Sequence, residues 1–168
     1  MAIVRRNLWI GALVFGLAFL GLGIFFVVQG HNAKAMIRAE LLKENIKTGA
    51  DGVQFGVAEG TLVTDAKTAR AQADIIEFHS VSIKGEVLKT GVPATLQYAE
   101  MTTDLFVSAA ARTTARSTYV TGLTLRNALY LAAMGFGLAD IAIFTGAAMI
   151  LVGAMTIAVG VPVTMYAV

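Results

Sequence analysis

Leu8 to Gln29, LWIGALVFGLAFLGLGIFFVVQ, is the stretch whose reading decides the architecture. It contains no charged residue, and at about 1.5 Å of rise per residue its length as a helix matches a hydrocarbon core of about 30 Å. A second apolar stretch runs from Ala128 to Val161, ALYLAAMGFGLADIAIFTGAAMILVGAMTIAVGV. It is longer than one perpendicular crossing needs and short for two crossings with a turn. No turn chemistry interrupts it, and the first proline after Arg126 is Pro162. One long helix is expected, its first turns from about Leu123 standing in the interface or the polar segment. A chain with three spans is the less favoured alternative.

The composition of the whole chain agrees. Of 168 residues, 57% are hydrophobic and 14% charged, against about 25% charged in soluble domains. Every Lys and Arg lies at or before Arg126, and beyond it the only charged side chain is Asp140. That distribution is expected where the solvent changes from water to lipid along the chain. The fold class is therefore mainly α: an integral membrane protein with two transmembrane helices and a mostly helical extramembrane segment between them. The expected organisation is an N-terminal segment 1–7, a first span 8–29, an extracytoplasmic segment 30–126, a second span with its interfacial extension 127–161, and a tail 162–168.

A cleaved signal peptide is the rival reading of the first span, with Ala33-Lys34-Ala35 as a small-residue cleavage site. The apolar run exceeds the usual h-region of about 7–15 residues, which favours an uncleaved anchor. Arg5 and Arg6 precede it, and the positive-inside rule places them and both termini in the cytoplasm of a cell (plasma) membrane protein. Lys34, Arg38 and Lys43 follow the span closely and weaken that asymmetry.

The net charge of +2 and the lack of a dense basic patch with interleaved aromatics give no reason to expect a nucleic-acid partner. The chain has no cysteine, which removes disulfides, thiolate zinc sites and iron–sulfur clusters.

Helix association in lipid relies on close backbone packing, which small residues permit. On the second span Ala139, Gly146, Gly153 and Gly160 recur every seventh residue, with Gly135 and Ala142 beside the row. Ala12, Gly16 and Gly23 form a shorter row on the first span. A seven-residue period keeps one face toward a left-handed partner. These nine residues are the candidate helix interface, and the pattern leaves open whether its partner is the other span or another protein. Asp140, an acid early in the apolar run without an evident basic partner, is read as hydrogen-bonded or interfacial rather than as a proton relay.

Between the spans, Ala33 to Ile46 reads as a helix with Ile37, Leu41 and Leu42 on one face, continuing the first span and ending at Gly49 and Gly52. Val53, Phe55 and Val57 alternate, which predicts a short extended piece or hairpin. Thr64 or Asp65 caps a helix to about His79. Gly85 and Gly91-Val92-Pro93 mark a break, Pro93 suits a helix start, and Thr95 to Arg116 is helix-compatible with interrupting Thr pairs.

Little in this segment points to chemistry. Neither histidine, His31 or His79, lies inside a span. Asp74 and Glu77 do not share a helical face with His79, so no metal site is assigned. No nucleophile elbow, phosphate loop, zinc-protease helix or dinucleotide fingerprint occurs. The phenylalanines of the first span, Phe15, Phe19, Phe25 and Phe26, are expected to face lipid or a partner.

The stretch Ala71-Gln72-Ala73-Asp74-Ile75-Ile76-Glu77-Phe78-His79 resembles an A-x-A-D-x-I-x-x-H motif of a group of short bacterial two-span membrane proteins of unknown function. Leu125-Arg126-Asn127-Ala128 leading to Gly135-Phe136-Gly137 resembles the opening of their second span. Between Thr102 and Thr118 this chain departs from the group and is longer. The resemblance implies the two-span topology. The automatic label such proteins often carry, aromatic ring-opening dioxygenase, implies metal ligands and a soluble fold not visible here.

The expected function is a non-catalytic accessory or structural subunit of a larger membrane complex, without catalytic residue, cofactor or metal, associating through its small-residue helix faces. Its expected partners are membrane lipid and other integral membrane subunits. The alternative is a self-assembling homo-oligomeric scaffold, in which the partners are copies of itself; a metal-binding or enzymatic module is a weaker third.

Overall fold

Leu8–Glu44 form one helix, α1, that runs without a break from the apolar stretch into the charged sequence after Gln29. The computed structural model describes residues 7–166, so the orientation argument from Arg5 and Arg6 lies outside the described residues. Three further helices follow: α2 (Ala66–Glu86), α3 (Ala109–Met155) and α4 (Val161–Tyr166). Among the described residues there is no strand, only two isolated antiparallel bridges, Lys47 to Leu62 and Leu88 to Phe106. The 37 residues of α1 and the 47 of α3 correspond to about 55 and 70 Å of helix. Both α1 and the run Ala109–Tyr166 are long and apolar enough to cross a membrane.

The chain divides into two units, Met1–Ile37 with Gly135–Val168, and Arg38–Met134. In the first, α1 and α3 pack side by side, and the helix changes character at its far end. Thr156–Gly160 form a π-helical turn between α3 and α4. Pro162 has no N–H to offer Ala158, and the wider turn absorbs the missing bond. The helix therefore passes through Pro162 to Tyr166, where the sequence suggested a tail.

In the second unit, α2 packs through Ala69 and Ala73, both fully buried, against Leu129 and Val63, with Leu41, Ile46, Ile76, Tyr130 and Ala133 around them. A second cluster joins Leu88, Met101, Phe106 and Ala115. The alternation of Val53, Phe55 and Val57 does not make a strand. Ala50–Phe55 coil into a 3-10 turn closed by Gly56 in the left-handed region, φ 75°, where glycine carries no steric penalty. The buried Thr48 ties this loop down: its hydroxyl donates to the Ala58 carbonyl at 2.6 Å and accepts from the Thr61 N–H at 3.1 Å.

Thr95 to Arg116 is likewise not one helix. Two 3-10 turns, Tyr98–Glu100 and Thr103–Leu105, precede α3. Ser108 starts α3, its hydroxyl accepting from the Ala111 N–H at 3.0 Å, so the helix begins well before Leu123. The Thr102–Thr103 pair lies in the break, whereas the threonines within α3 do not interrupt it. Thr113 and Thr124 donate to the carbonyls of Ala109 and Val120 one turn back, a bond that keeps the hydroxyl inside the helix ladder.

Asp65 is the N-cap of α2 in a full capping box: its carboxylate accepts from the Thr68 N–H at 2.8 Å, and the Thr68 hydroxyl accepts from the Asp65 N–H. The helix it starts extends past His79 to Glu86. The Thr68 backbone bond, with smaller help from the Thr68 hydroxyl and Lys67, holds the Asp65 carboxyl below its ordinary 3.8. A depressed carboxyl contributes stability above its unfolded value and loses it as pH falls through the folded one. Asp65→Ala is expected to cost about 1 kcal/mol by thermal unfolding at neutral pH, with the difference from the parent shrinking as pH falls below the ordinary carboxyl value of 3.8.

Candidate functional site: the paired glycine faces

Gly16, Gly23 and Gly30 are the buried residues of α1. Each faces a counterpart on α3: Gly16 meets Gly153, Gly23 meets Gly146 and Gly30 meets Ala139. Every seven-residue step forward on α1 is a seven-residue step back on α3, so the helices run antiparallel in a constant register. A Cβ added to Gly146 would stand 2.5 Å from the Gly23 carbonyl oxygen, and one on Gly23 would stand 2.6 Å from that of Gly146. Real Cβ atoms do not approach backbone that closely. The two backbones are in contact because neither helix has a side chain there.

Each glycine receives a branched side chain from the other helix. Ile157, Ile150 and Ile143 fill the spaces at Gly16, Gly23 and Gly30, and Leu20 and Val27 fill those at Gly153 and Gly146. These fillers also recur every seventh residue, giving the knobs-into-holes arrangement of a heptad seam. Gly30 lies one residue past the stretch Leu8 to Gln29 assigned to the first span, although its spacing from Gly23 repeats that of Gly23 from Gly16.

The other candidate positions divide. Gly135 sits against the Ile37 side chain. Ala12 and Ala142 are half-buried. Among the described residues Gly160 has only Thr156 of its own turn nearby and takes no part in the seam.

Asp140 is not without a basic partner. Lys34 forms an ion pair and hydrogen bond with its carboxylate across the helix pair. Lys34 lies seven residues after Val27, so the seam that places Leu20 and Val27 also delivers the ammonium. Sequence distance hid the pair.

The chemistry-bearing residues of α2 each take a separate partner. Asp74 accepts from the Tyr130 hydroxyl at 2.5 Å, Glu77 pairs with Arg126 at 2.9 Å, and His79 contacts the Asp51 carboxylate. In the stretch that resembles the two-span group, Ala71 and Ala73 are buried and Ile76 packs on the core, so the motif fastens α2 to its surroundings. Among the described residues no three His, Asp or Glu side chains gather as metal ligands. The phenylalanines Phe15, Phe25 and Phe26 are exposed, and Phe15 stacks on Phe19 with centroids 4.3 Å apart. No protein-family model, curated protein or solved structure matches the chain.

Two expectations follow from the seam. Gly23→Leu or Gly146→Leu drives a side chain into backbone, at a cost at or above the roughly 1–3 kcal/mol of an overpacked core. Leu151→Ile alters a side chain that is 65% exposed and should leave the melting temperature in detergent unchanged; Ile150 is no such control, because it fills the space at Gly23. The Lys34–Asp140 pair should show a double-mutant coupling on the order of 1 kcal/mol, with the charge-swapped Lys34→Asp, Asp140→Lys protein recovering most of the loss.

Proposed function

We propose that the chain is a non-catalytic accessory subunit of a larger membrane assembly, held in the bilayer by α1 and α3 as a glycine-locked pair and carrying residues 38–134 as its extramembrane part. The observation that carries this reading is how the helix pair uses its faces. The small residues close on each other within the chain, while large apolar side chains such as Leu17, Ile24, Leu138, Ile141 and Leu151 remain exposed. A surface of that composition suits lipid or the apolar helices of another subunit. Association with other subunits then uses these outward faces, and the glycine rows serve to make the pair stiff enough to present them.

The orientation follows the positive-inside rule: both termini in the cytoplasm and the Arg38–Met134 unit outside, in the plasma membrane. The resemblance around Ala71–His79 supports the same two-span arrangement. A self-assembling scaffold made of this chain alone would use the same outward faces and is the second reading.

Purification in mild detergent separates the two. Other chains at a fixed ratio are expected; a homo-oligomer would favour the scaffold, and a monomer at every concentration would overturn both. For topology, Glu59→Cys, an exposed position beside Gly60, is expected to react with an impermeant thiol reagent in intact cells, whereas Asn7→Cys should react only after permeabilisation. The reverse pattern would invert the orientation.

A further inference from the structure

A cavity of about 160 Å³ lies between α2 and α3, bounded by Glu77, Ser80 and Lys84 on one helix and Tyr119, Gly122 and Arg126 on the other. The two helices approach closely at its edge, where a Cβ on Gly122 would collide with the Ser80 hydroxyl. That hydroxyl is itself turned onto its own helix, donating to the Ile76 carbonyl at 2.7 Å.

The cations at this cavity are under-compensated. Lys84 is 2% exposed. Its ammonium donates to the Leu96 carbonyl and lies 4.8 Å from the centre of the Tyr119 ring. Among the described residues no carboxylate stands within ion-pair distance of it. Burial pushes its pKa down, and Glu100 opposes that only through longer-range attraction. Arg126 gives Nη1 to Glu77, but its Nε is buried and has no hydrogen-bond partner. Two positive side chains thus line the cavity with one carboxylate. A buried ammonium with a single carbonyl partner has hydrogen-bonding capacity left, and so does a guanidinium with an idle N–H.

We propose that this cavity binds one small oxyanion, a carboxylate- or phosphate-bearing molecule, between Lys84 and Arg126. The bound group accepts from the Lys84 ammonium and the Arg126 Nε–H and compensates the excess positive charge of the lining. The guanidinium fork suits an oxyanion better than a spherical halide. The volume sets the class, since pockets for drug-sized ligands begin at about 300 Å³. Glu77 competes with the ligand for Arg126 and limits its affinity. The proposal does not rest on the assembly reading.

Calorimetric titration of the full-length protein in a neutral detergent and zwitterionic buffer tests it, with inorganic phosphate, acetate, glycerol phosphate and chloride as separate probes. One oxyanion per chain is expected to bind saturably. Preference for glycerol phosphate over inorganic phosphate identifies a lipid headgroup as the source, and the reverse preference, or acetate, a soluble anion. Lys84→Met and Arg126→Gln are expected to weaken binding at least tenfold. Glu77→Gln, which removes the competitor, is expected to tighten it several-fold, a gain that damage to the fold cannot imitate. Absence of saturable oxyanion binding, an equal response to chloride, or an affinity unmoved by Glu77→Gln would overturn the proposal.

Discussion

Backbone contact between two helices is the constraint from which the rest of the Met1–Ile37 and Gly135–Val168 unit follows. At Gly23 and Gly146 each carbonyl occupies the place where the other residue's side chain would be. Such proximity strengthens dispersion attraction along the seam, the form that helix association takes in lipid. It also fixes register. Moving one helix by a single residue would bring Leu22 or Ile24 against the opposing backbone in place of Gly23. The isoleucines at 143, 150 and 157 then have one place to go, and Lys34 is carried to Asp140 as a consequence of that register.

The Arg38–Met134 unit is held together by different interactions. Alanines on α2 permit close packing, but the contact is surrounded by Leu41, Ile76 and Leu129, whose burial is driven by the hydrophobic effect. Its loops are fastened by specific hydrogen bonds: Thr48 across the 3-10 turn, Asp65 and Thr68 at the cap, and Arg112 to the Met101 carbonyl at 2.7 Å. The cavity between Lys84 and Arg126 stands apart because its charges are left partly unanswered within the chain.

A functional reading has to respect both halves. If the glycine rows were a docking surface for another subunit, they would have to be open, and in this structure they are closed on each other. The outward apolar faces and the polar unit are what remains for partners. In the proposed accessory role the helix pair would be a preformed anchor and the Arg38–Met134 unit would carry the specificity.

By itself the sequence determined the helical class, the two long apolar helices, the small-residue spacing, a helix cap at Thr64 or Asp65 and the separation of Asp74 and Glu77 from His79. All of these are local: they depend on composition, on periodicity or on residues within a turn of one another. The tertiary structure decided that the two glycine rows face each other, that Gly30 belongs to them and Gly160 does not, that Asp140 has Lys34, and that Lys84 and Arg126 share a cavity. Lys34 and Asp140 are 106 positions apart, and periodicity identifies a face without naming what lies opposite. The loop at Ala50–Phe55 shows the same limit at short range. Alternating apolar residues suit a strand only if another strand is there to accept their hydrogen bonds; with glycines at 49, 52 and 56 the backbone satisfies itself in a turn instead.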